Sequence, residues 1–274
     1  MTTQRKAEKF RQMHEGPCFI MPNAWNAGSA VMLEQAGFES IATTSAGIAF
    51  SHAMADSTLS FEMALQETAA IVAAVNVPVS MDSENLYTHD LNSIHGNLKK
   101  ILETGVVGVS IEDYTGNSDD PYYDIEVATD RVSAADDARR SLQYPVTLTA
   151  RSECYLYGHP DPFAESVRRV NRYHEAGADC LYVPGLRDIE TIRALVREVD
   201  APVNVVMGLS GSPFSLSELA QAGVTRVSIG GSLARATFGL MRKACEEMQQ
   251  YGTFNYAAQQ VADSELCDLF SKLK

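Results

Sequence analysis

Three short apolar runs of this sequence each end in a charged residue whose side chain could bind a cation or an anion. The first run ends before Asp82, the second at Glu112 and the third at Arg151. Short β-branched runs between helical stretches are typical of buried parallel strands, which need only apolar packing. Ligands of parallel α/β enzymes bind at the carboxyl ends of the strands. We therefore expect these three side chains to meet at one site that binds a cation and an anionic substrate.

The carboxylates of this set are typical of a site for a divalent cation. Glu84 follows Asp82 by two residues, and residues i and i+2 of an extended segment lie on the same side. Asp82, Glu84 and Glu112 have no set of His or Cys ligands nearby, which favours Mg²⁺, with Mn²⁺ as a substitute. Mg²⁺ usually keeps several waters, so some of these acids would bind it through water. The alternative is that they are solvated acids at the ends of strands.

Arg151 and the turn after the second predicted strand are candidates for binding the anionic substrate. A guanidinium is a forked donor that matches a carboxylate or phosphate edge, although Arg151 could also merely neutralise the acids. Ser45, Ala46 and Gly47 form a small-residue turn whose backbone amides could approach a ligand. Tyr182, at the end of the sixth predicted strand, could line the pocket. These residues predict an anion-binding half of the same site.

A repeating pattern of helical stretches and short apolar runs predicts the elements that position these residues. At four places, as in Glu103-Thr-Gly105, a Gly just past an amphipathic stretch can close a helix, and a strand begins almost at once. Eight such runs, separated by helical stretches such as 61–75 and 162–176, predict a (β/α)₈ TIM barrel. The predicted strands are residues 18–21, 40–44, 77–82, 107–111, 146–150, 180–183, 203–206 and 226–229.

A doubly wound sheet is the alternative α/β architecture, but it would need a Gly-rich phosphate loop after the first strand. The sequence there is Pro22-Asn-Ala-Trp-Asn, which is no such loop. No linker rich in Ser, Gly or Pro divides the chain, so we predict a single barrel domain over residues 1–274. Residues 232–274 form a C-terminal helical extension, with helices predicted at 234–250 and 255–272, that would pack on a neighbouring subunit.

Composition excludes several classes of partner. The net charge of −13 at pH 7 argues against nucleic acid, since phosphate binding needs a basic surface. No apolar run approaches the roughly 20 residues of a membrane span, and the N-terminus has no signal-peptide core. The five cysteines include no Cys-x-x-Cys pair, so neither a zinc ribbon nor a disulfide framework is expected. We predict a cytoplasmic protein without a membrane or nucleic-acid partner.

The ordered motifs of this chain resemble those of the isocitrate lyase/phosphoenolpyruvate mutase superfamily over residues 16–245. The motifs are Pro22-Asn-Ala-Trp-Asn, Thr44-Ser-Ala-Gly47, Asp56, Asp82-x-Glu84, Ser110-Ile-Glu-Asp113 and Thr149-Ala-Arg151. The resemblance implies a (β/α)₈ barrel whose eighth helix is swapped between the subunits of a homo-oligomer, a dimer or a dimer of dimers. It also implies Mg²⁺ and a small 2-oxo acid, with a C–C or C–P bond made or broken next to an enolate.

The same resemblance implies roles for individual residues. The turn at 45–47 would hold the substrate carboxylate through the Ser45 hydroxyl and backbone amides. The metal site would comprise Asp56, Asp82, Glu84 and Glu112. Asp82 would be the direct ligand, whereas the local sequence alone would leave Asp56 as a surface residue. Arg151 would contact the substrate carboxylate or the departing group, and Arg151 and Asp56 are the catalytic candidates.

Two segments depart from the pattern of the superfamily. Its Gly-Tyr-Gly segment after the acidic pair is Leu86-Tyr-Thr88 here, which predicts a loop of different shape, because backbone conformations open to Gly are costly for other residues. Its lyases carry a Lys-x-Cys-Gly-His segment after the fourth strand, where this chain has Tyr114-Thr-Gly-Asn117. The missing Cys argues against cleavage of isocitrate or methylisocitrate. Asn117 is a candidate substrate contact in this lid.

The leading functional hypothesis is an Mg²⁺-dependent lyase or decarboxylase that makes or breaks a C–C bond of a small 2-oxo acid or related carboxylate. The alternative reaction is C–P chemistry of the phosphonopyruvate hydrolase or phosphoenolpyruvate mutase type. A barrel that binds a carboxylate without turning it over is the alternative outside enzymes. A purely structural protein would leave the acids at the strand ends unexplained.

Overall fold

The computed structural model of the chain describes residues 1–209 and 214–271. The strands of these residues are β1 (Phe19–Met21), β2 (Asn23–Ala24), β3 (Ile41–Thr43), β4 (Val79–Met81), β5 (Gly108–Glu112), β6 (Thr147–Arg151), β7 (Cys180–Tyr182), β8 (Val203–Val206) and β9 (Arg226–Ser228). They run parallel in the order β1-β9-β8-β7-β6-β5-β4-β3-β2. The helices are α1 (Thr3–Met13), α2 (Ala27–Gln35), α3 (Ser45–Ser51), α4 (Phe61–Ala74), α5 (Ile94–Glu103), α6 (Ile125–Arg140), α7 (Pro162–Glu175), α8 (Ile189–Glu198), α9 (Leu216–Gln221), α10 (Ser232–Tyr251) and α11 (Asp263–Ser271).

The barrel closes through two short pieces, β1 and β2, of which the first predicted strand, 18–21, covers only β1. β1 pairs with β9 and β2 pairs with β3, so the two pieces together occupy one of the eight strand positions of the barrel. Pro22 separates them and has no N–H to donate to a ladder. The Asn23 side chain joins the neighbours on both sides, because its Nδ2 donates to Thr43 O (2.6 Å) and its Oδ1 accepts from Ile229 N (3.0 Å) and Gly230 N (2.9 Å). The predicted (β/α)₈ barrel is confirmed.

The glycines predicted to end helices adopt the backbone conformation that this role requires. Gly105 follows α5 with φ +91° and Gly177 follows α7 with φ +109°. Both values lie in the left-handed region that residues with a Cβ rarely adopt. Each strand then begins within a few residues, which fixes where its carboxyl end and the polar residues beyond it lie.

The bottom of the barrel is closed by α1. Phe10 is fully buried against Met21, Ala42 and Val107, and its ring leaves no room for a side chain at Gly108. The Thr2 side chain caps the helix at Arg5 N. A ligand would therefore enter from the other end of the barrel, where the strands end.

A buried polar layer lies between α1 and the mouth of the barrel. Arg226 donates from Nε to Asn204 Oδ1 (2.9 Å) and from Nη2 to Thr149 Oγ1 (3.0 Å), and its Nη1 lies 3.0 Å from Nε2 of His14. Burial, together with Arg226, lowers the pKa of His14 to about 3, so the imidazole is neutral and can accept this hydrogen bond. This layer was not predicted from the sequence, since barrel interiors are usually filled by branched apolar side chains.

The C-terminal extension differs in part from its prediction. α10 covers the helix predicted at 234–250, but the helix predicted at 255–272 is wrong in its first half. A short 3₁₀ helix, Asn255–Gln259, is followed by extended backbone at Gln260 before α11 begins, and residue 272 lies outside the described residues. The Glu247 carboxylate accepts hydrogen bonds from the 3₁₀ segment and holds it against the end of α10.

The apolar side chains of α10 are largely uncovered. Ala234 and Ala244 are its buried residues, whereas Leu233, Phe238 and Met241 are exposed. A helix in the outer ring of a barrel would bury such side chains on the sheet. Exchange of this helix between subunits, and with it the homo-oligomer, remains a prediction. No helix in the described part of the chain combines the length and apolar character needed to span a membrane.

Candidate active site

A cavity of about 380 Å³ lies at the carboxyl ends of the strands and contains most of the predicted site residues. Those that line it are Ser45, Ala46, Asp56, Asp82, Glu84, Glu112, Arg151 and Tyr182. They come from the ends of β3, β4, β5, β6 and β7 and the segments that follow. The expectation that these side chains converge at one lip of the barrel therefore agrees with the structure.

Arg151 lies at the centre of the acidic side chains. Its Nη1 lies 3.1 Å from Asp82 Oδ1 and 2.9 Å from Glu112 Oε2, and its Nη2 lies 2.8 Å from Glu153 Oε1. The guanidinium also lies over the ring of Tyr182, 5.0 Å from the ring centroid. One cation thus contacts three carboxylates.

Asp82 is fixed in orientation by groups from the neighbouring strand. Its Oδ2 accepts hydrogen bonds from the backbone N and the Oγ of Ser45, both at 3.0 Å. Its own backbone N donates to Thr43 Oγ1 (2.9 Å). Ser45 thus holds an acid in this structure, while its expected contact with a substrate carboxylate remains a prediction.

Glu84 occupies a strained and poorly solvated position. Its backbone has φ +47°, and its Oε1 is a buried atom without a hydrogen-bond partner in the described residues. Burial and the nearby charges of Asp82 and Asp56 raise the pKa of Glu84 to about 7. Burial and Asp82 also raise the pKa of Asp56. A nearby cation would relieve the cost of holding these acids ionised.

The loop after Glu84 adopts a glycine-like backbone without glycine. Leu86 and Tyr87 have φ of +60° and +54°, whereas Thr88 does not lie in the left-handed region. Leu86 is fully buried, and the buried Arg131 donates to the backbone carbonyls of Asn85 (2.6 Å) and Thr88 (2.7 Å). Burial and the guanidinium contacts offset the cost of positive φ, which is on the order of 1–3 kcal/mol per residue.

Glu112 and Glu153 are the most deeply buried acids of the cavity. Burial raises the pKa of Glu112 well above its usual range although Arg151 lies beside it, and it raises the pKa of Glu153 to about 7. The sequence reasoning missed Glu153. A signal was present, because Arg151-Ser-Glu153 has the same i, i+2 spacing that singled out Asp82 and Glu84.

The donor set fits a divalent cation that is bound partly through water. In the described residues no three His, Cys, Asp or Glu side chains lie close enough together to ligate one ion directly. Mg²⁺ is usually bound through one or two carboxylates and keeps several waters. Glu84 lines the cavity and has one carboxylate oxygen without a hydrogen-bond partner in the described residues, and the surrounding acids supply acceptors for metal-bound water.

Two predicted substrate contacts do not line this cavity. Gly47 is buried, and a Cβ there would lie 2.6 Å from Thr44 Cγ2 and 3.0 Å from Trp25 Cβ, so this position needs Gly for packing. Asn117 is exposed in the loop after β5, where its Oδ1 accepts from Asp119 N (3.0 Å). Their proposed contacts with substrate remain predictions.

A second sector of the cavity is apolar and was not expected from the sequence. It is formed by Phe50, Leu156, Tyr157, Pro184 and Leu209. Most of these residues follow β6, β7 and β8, whereas the acids other than Glu153 follow β3, β4 and β5. Tyr157 stacks on Tyr114 of the neighbouring loop, with ring centroids 4.0 Å apart. Arg235, near the start of α10, adds a cation to the lining.

Comparison with known proteins places the whole barrel in one family. The sequence profile of the phosphoenolpyruvate phosphomutase family matches residues 10–249. The crystal structure of a lyase/mutase candidate from Burkholderia cenocepacia J2315 is 45% identical, with a TM-score of 0.96 over 98% of this chain and 97% of that one. An uncharacterised protein of Mycobacterium tuberculosis is 31% identical over 79% of each chain.

Relatives of known activity catalyse different reactions. A 2-methylisocitrate lyase of Shewanella oneidensis is 27% identical over 82% of this chain and 79% of its own length. An oxaloacetate decarboxylase of Paraburkholderia xenovorans (27%, covering 91% and 82%) and a phosphonopyruvate hydrolase of Variovorax sp. (26%, covering 88% and 85%) are similarly distant. The fold also matches a phosphonopyruvate hydrolase crystallised with oxalate and Mg²⁺ (TM-score 0.87, 24% identity, covering 99% and 96%).

Proposed function

Because the chain belongs to the phosphoenolpyruvate phosphomutase family, within the isocitrate lyase/phosphoenolpyruvate mutase superfamily of lyases and mutases, we propose that it is a divalent-cation-dependent C–C lyase or decarboxylase. Its substrate would be a small 2-oxo acid or related carboxylate, and bond cleavage would pass through an enolate. The observation that carries this proposal is the acid-rich cavity in which Arg151 contacts three carboxylates at once.

The acids of the cavity would hold the cation. Asp82 would bind it directly, and Asp56, Glu84 and Glu112 would bind it through water. A bound Mg²⁺ would supply positive charge where the enolate oxygen develops negative charge. Asp82 is suited to this role because Ser45 and Thr43 fix its position before any ligand arrives.

Arg151 would orient the substrate carboxylate. Its guanidinium is held by acids on both edges, so its donors point in fixed directions. Fixed orientation matters because misplacing a reacting group by about 1 Å can cost roughly 100-fold in rate. The enolate would be protonated or react further inside a cavity that α1 closes from below.

The apolar sector favours a carbon substituent over a phosphonate as the second half of the substrate. Leu156 and Tyr157 are among the exposed large hydrophobic residues of the chain, and both line the cavity. An alkyl group would cover such side chains, whereas a phosphonate dianion would lose hydration there. This favours C–C cleavage over C–P cleavage.

The reaction class is tested by measuring pyruvate and inorganic phosphate released from a panel of substrates. The panel comprises oxaloacetate, 2-methylmalate and phosphonopyruvate, each with Mg²⁺ and with a chelator. We expect Mg²⁺-dependent pyruvate release from a carbon substrate and none from phosphonopyruvate. Equal amounts of phosphate and pyruvate from phosphonopyruvate would instead assign C–P hydrolysis. The rate of pyruvate release measured with Asp82→Ala gives the background from spontaneous decarboxylation of oxaloacetate.

A further inference from the structure

Glu153 contacts Arg151 from the side opposite to the other acids. Its side chain is 2% exposed, and its Oε1 lies 2.9 Å from Arg151 Nε and 2.8 Å from Nη2. Nε and Nη2 form one edge of the guanidinium, so Glu153 holds this edge. The remaining nitrogen, Nη1, then faces Asp82 and Glu112.

Glu153 is itself held by a buried hydrogen-bond network. Its backbone N donates to Asp113 Oδ1 (2.9 Å), and Asp113 Oδ2 accepts from Tyr173 OH (2.7 Å) and Arg169 Nη1 (3.1 Å). Arg169 and Tyr173 lie on α7, and Asp113 is the residue after β5. The network therefore connects a helix of the outer ring to the guanidinium in the cavity.

Neutralisation of charge does not explain a third acid on Arg151. Asp82 alone can match the single charge of the guanidinium, and Glu112 already contacts the same nitrogen. A further buried carboxylate adds desolvation cost, which agrees with the raised pKa of Glu153. Glu153 instead fixes the Nε/Nη2 edge of the Arg151 guanidinium, because charge-assisted hydrogen bonds to a guanidinium are directional.

We propose that Glu153 is a positioning residue that fixes the orientation in which Arg151 contacts a bound carboxylate, and that Asp113, Arg169 and Tyr173 fix Glu153. This inference rests on the proposed function, because it assigns to Arg151 the substrate carboxylate. It adds four residues to the machinery of the site, of which only Glu153 lines the cavity.

The test is calorimetric titration of oxalate into protein saturated with Mg²⁺. The variants are Glu153→Gln, Glu153→Ala, Arg151→Ala and the double variant Arg151→Ala/Glu153→Gln. We expect oxalate to bind about 10-fold more weakly to Glu153→Gln and about 100-fold more weakly to Glu153→Ala, because Gln retains one acceptor. In the Arg151→Ala background, Glu153→Gln should cause no further loss. Asp136→Asn, a buried acid paired with Arg139 and Arg140, is the matched control and should bind oxalate like wild type.

The outcomes separate this inference from the proposed function. Wild-type protein that fails to bind oxalate with Mg²⁺ overturns both. If wild type binds oxalate and folded Glu153→Ala binds it with the same affinity, the role of Glu153 is overturned while the proposed function stands. Additive losses in the double variant also overturn it, because a purely structural residue does not act through Arg151. Should Glu153→Ala not fold, Glu153→Asp shortens the side chain and serves the same comparison.

Discussion

Two ion clusters lie at opposite ends of the barrel, and they differ in charge balance. The mouth cluster consists of Arg151, Asp82, Glu112 and Glu153, with one cation for three acids. The base cluster consists of Arg139, Arg140, Asp136 and Asp179, with two cations for two acids. The mouth cluster adjoins a cavity that also contains Asp56 and Glu84.

The base cluster shows what a structural ion network looks like in this molecule. Arg139 bonds Asp136, Asp179 and the carbonyl oxygens of Val146 and Gly177. Asp179 also accepts from Leu148 N (2.8 Å), so the network joins the end of α6 to the starts of β6 and β7. Every charge there has an opposite partner.

The mouth cluster has the opposite character. Its acids outnumber its cation, one neighbouring carboxylate oxygen has no partner, and burial raises the pKa of several of its groups. Such an arrangement reduces the stability of the fold, and perturbed groups of this kind concentrate at functional sites. The proposed divalent cation would account for this difference between the clusters.

The largest effect on stability is expected from breaking the base cluster. Arg139→Ala would leave the buried Asp136 with only the exposed Arg140 and the half-exposed Asp179 without a guanidinium, and removing one partner of a buried ion pair costs at most roughly 3–5 kcal/mol. Urea denaturation should show this loss, while the oxalate affinity of the folded variant stays at the wild-type value. Weakened oxalate binding at equal folded fraction would show that the two clusters are not independent.

A smaller and pH-dependent effect is expected from Glu84→Gln. The pKa of Glu84 is raised from 4.5 to about 7, so the folded state binds a proton more tightly than the unfolded state. The associated stability is present below pH 4.5 and is lost as the pH rises to about 7. At pH 8 without a divalent cation, Glu84→Gln should therefore unfold with a free energy higher by up to about 3 kcal/mol.

The measurement for Glu84→Gln is the free energy of unfolding at pH 5 and pH 8, for wild type and variant. The gain of the variant should be larger at pH 8 than at pH 5. Asp136→Asn from the base cluster should show no such gain. An equal gain at both pH values would contradict the titration assigned to Glu84.

The smallest effect is expected from Asp113→Asn. Asn keeps an acceptor for the backbone N of Glu153 but loses the charge that pairs with Arg169, which costs roughly 1–3 kcal/mol. Oxalate should bind a few-fold more weakly, because Glu153 becomes less well fixed. If the variant is destabilised but binds oxalate with wild-type affinity, Asp113 has a purely structural role, like the acids of the base cluster.

The sequence predicted the residues whose position follows from the strands. Asp82, Glu112 and Arg151 lie at or directly after strand ends, so the parallel sheet alone brings them to one lip. Most of the eight strands were predictable for a related reason, because their apolar runs had a helix-ending Gly before them or a charged residue after them. The family resemblance added Asp56, whose local sequence carries no signal.

What the sequence did not predict depends on contacts between distant segments. The orientation of Glu153 is set by Asp113, 40 positions earlier, and by α7. The left-handed backbone of Leu86 depends on Arg131 of α6. The apolar sector combines loops after three different strands with Phe50 of α3, and no local pattern relates them.

The most direct test of a cation-dependent carboxylate site is calorimetric titration of oxalate, with and without Mg²⁺, into wild type, Asp82→Ala and the control Asp136→Asn. We expect wild type and Asp136→Asn to bind oxalate only when Mg²⁺ is present, and Asp82→Ala to lose at least about 100-fold in affinity. Wild type that does not bind oxalate with Mg²⁺, or Asp82→Ala that binds it as wild type does, would contradict the assignment of the mouth cluster to a metal-dependent active site.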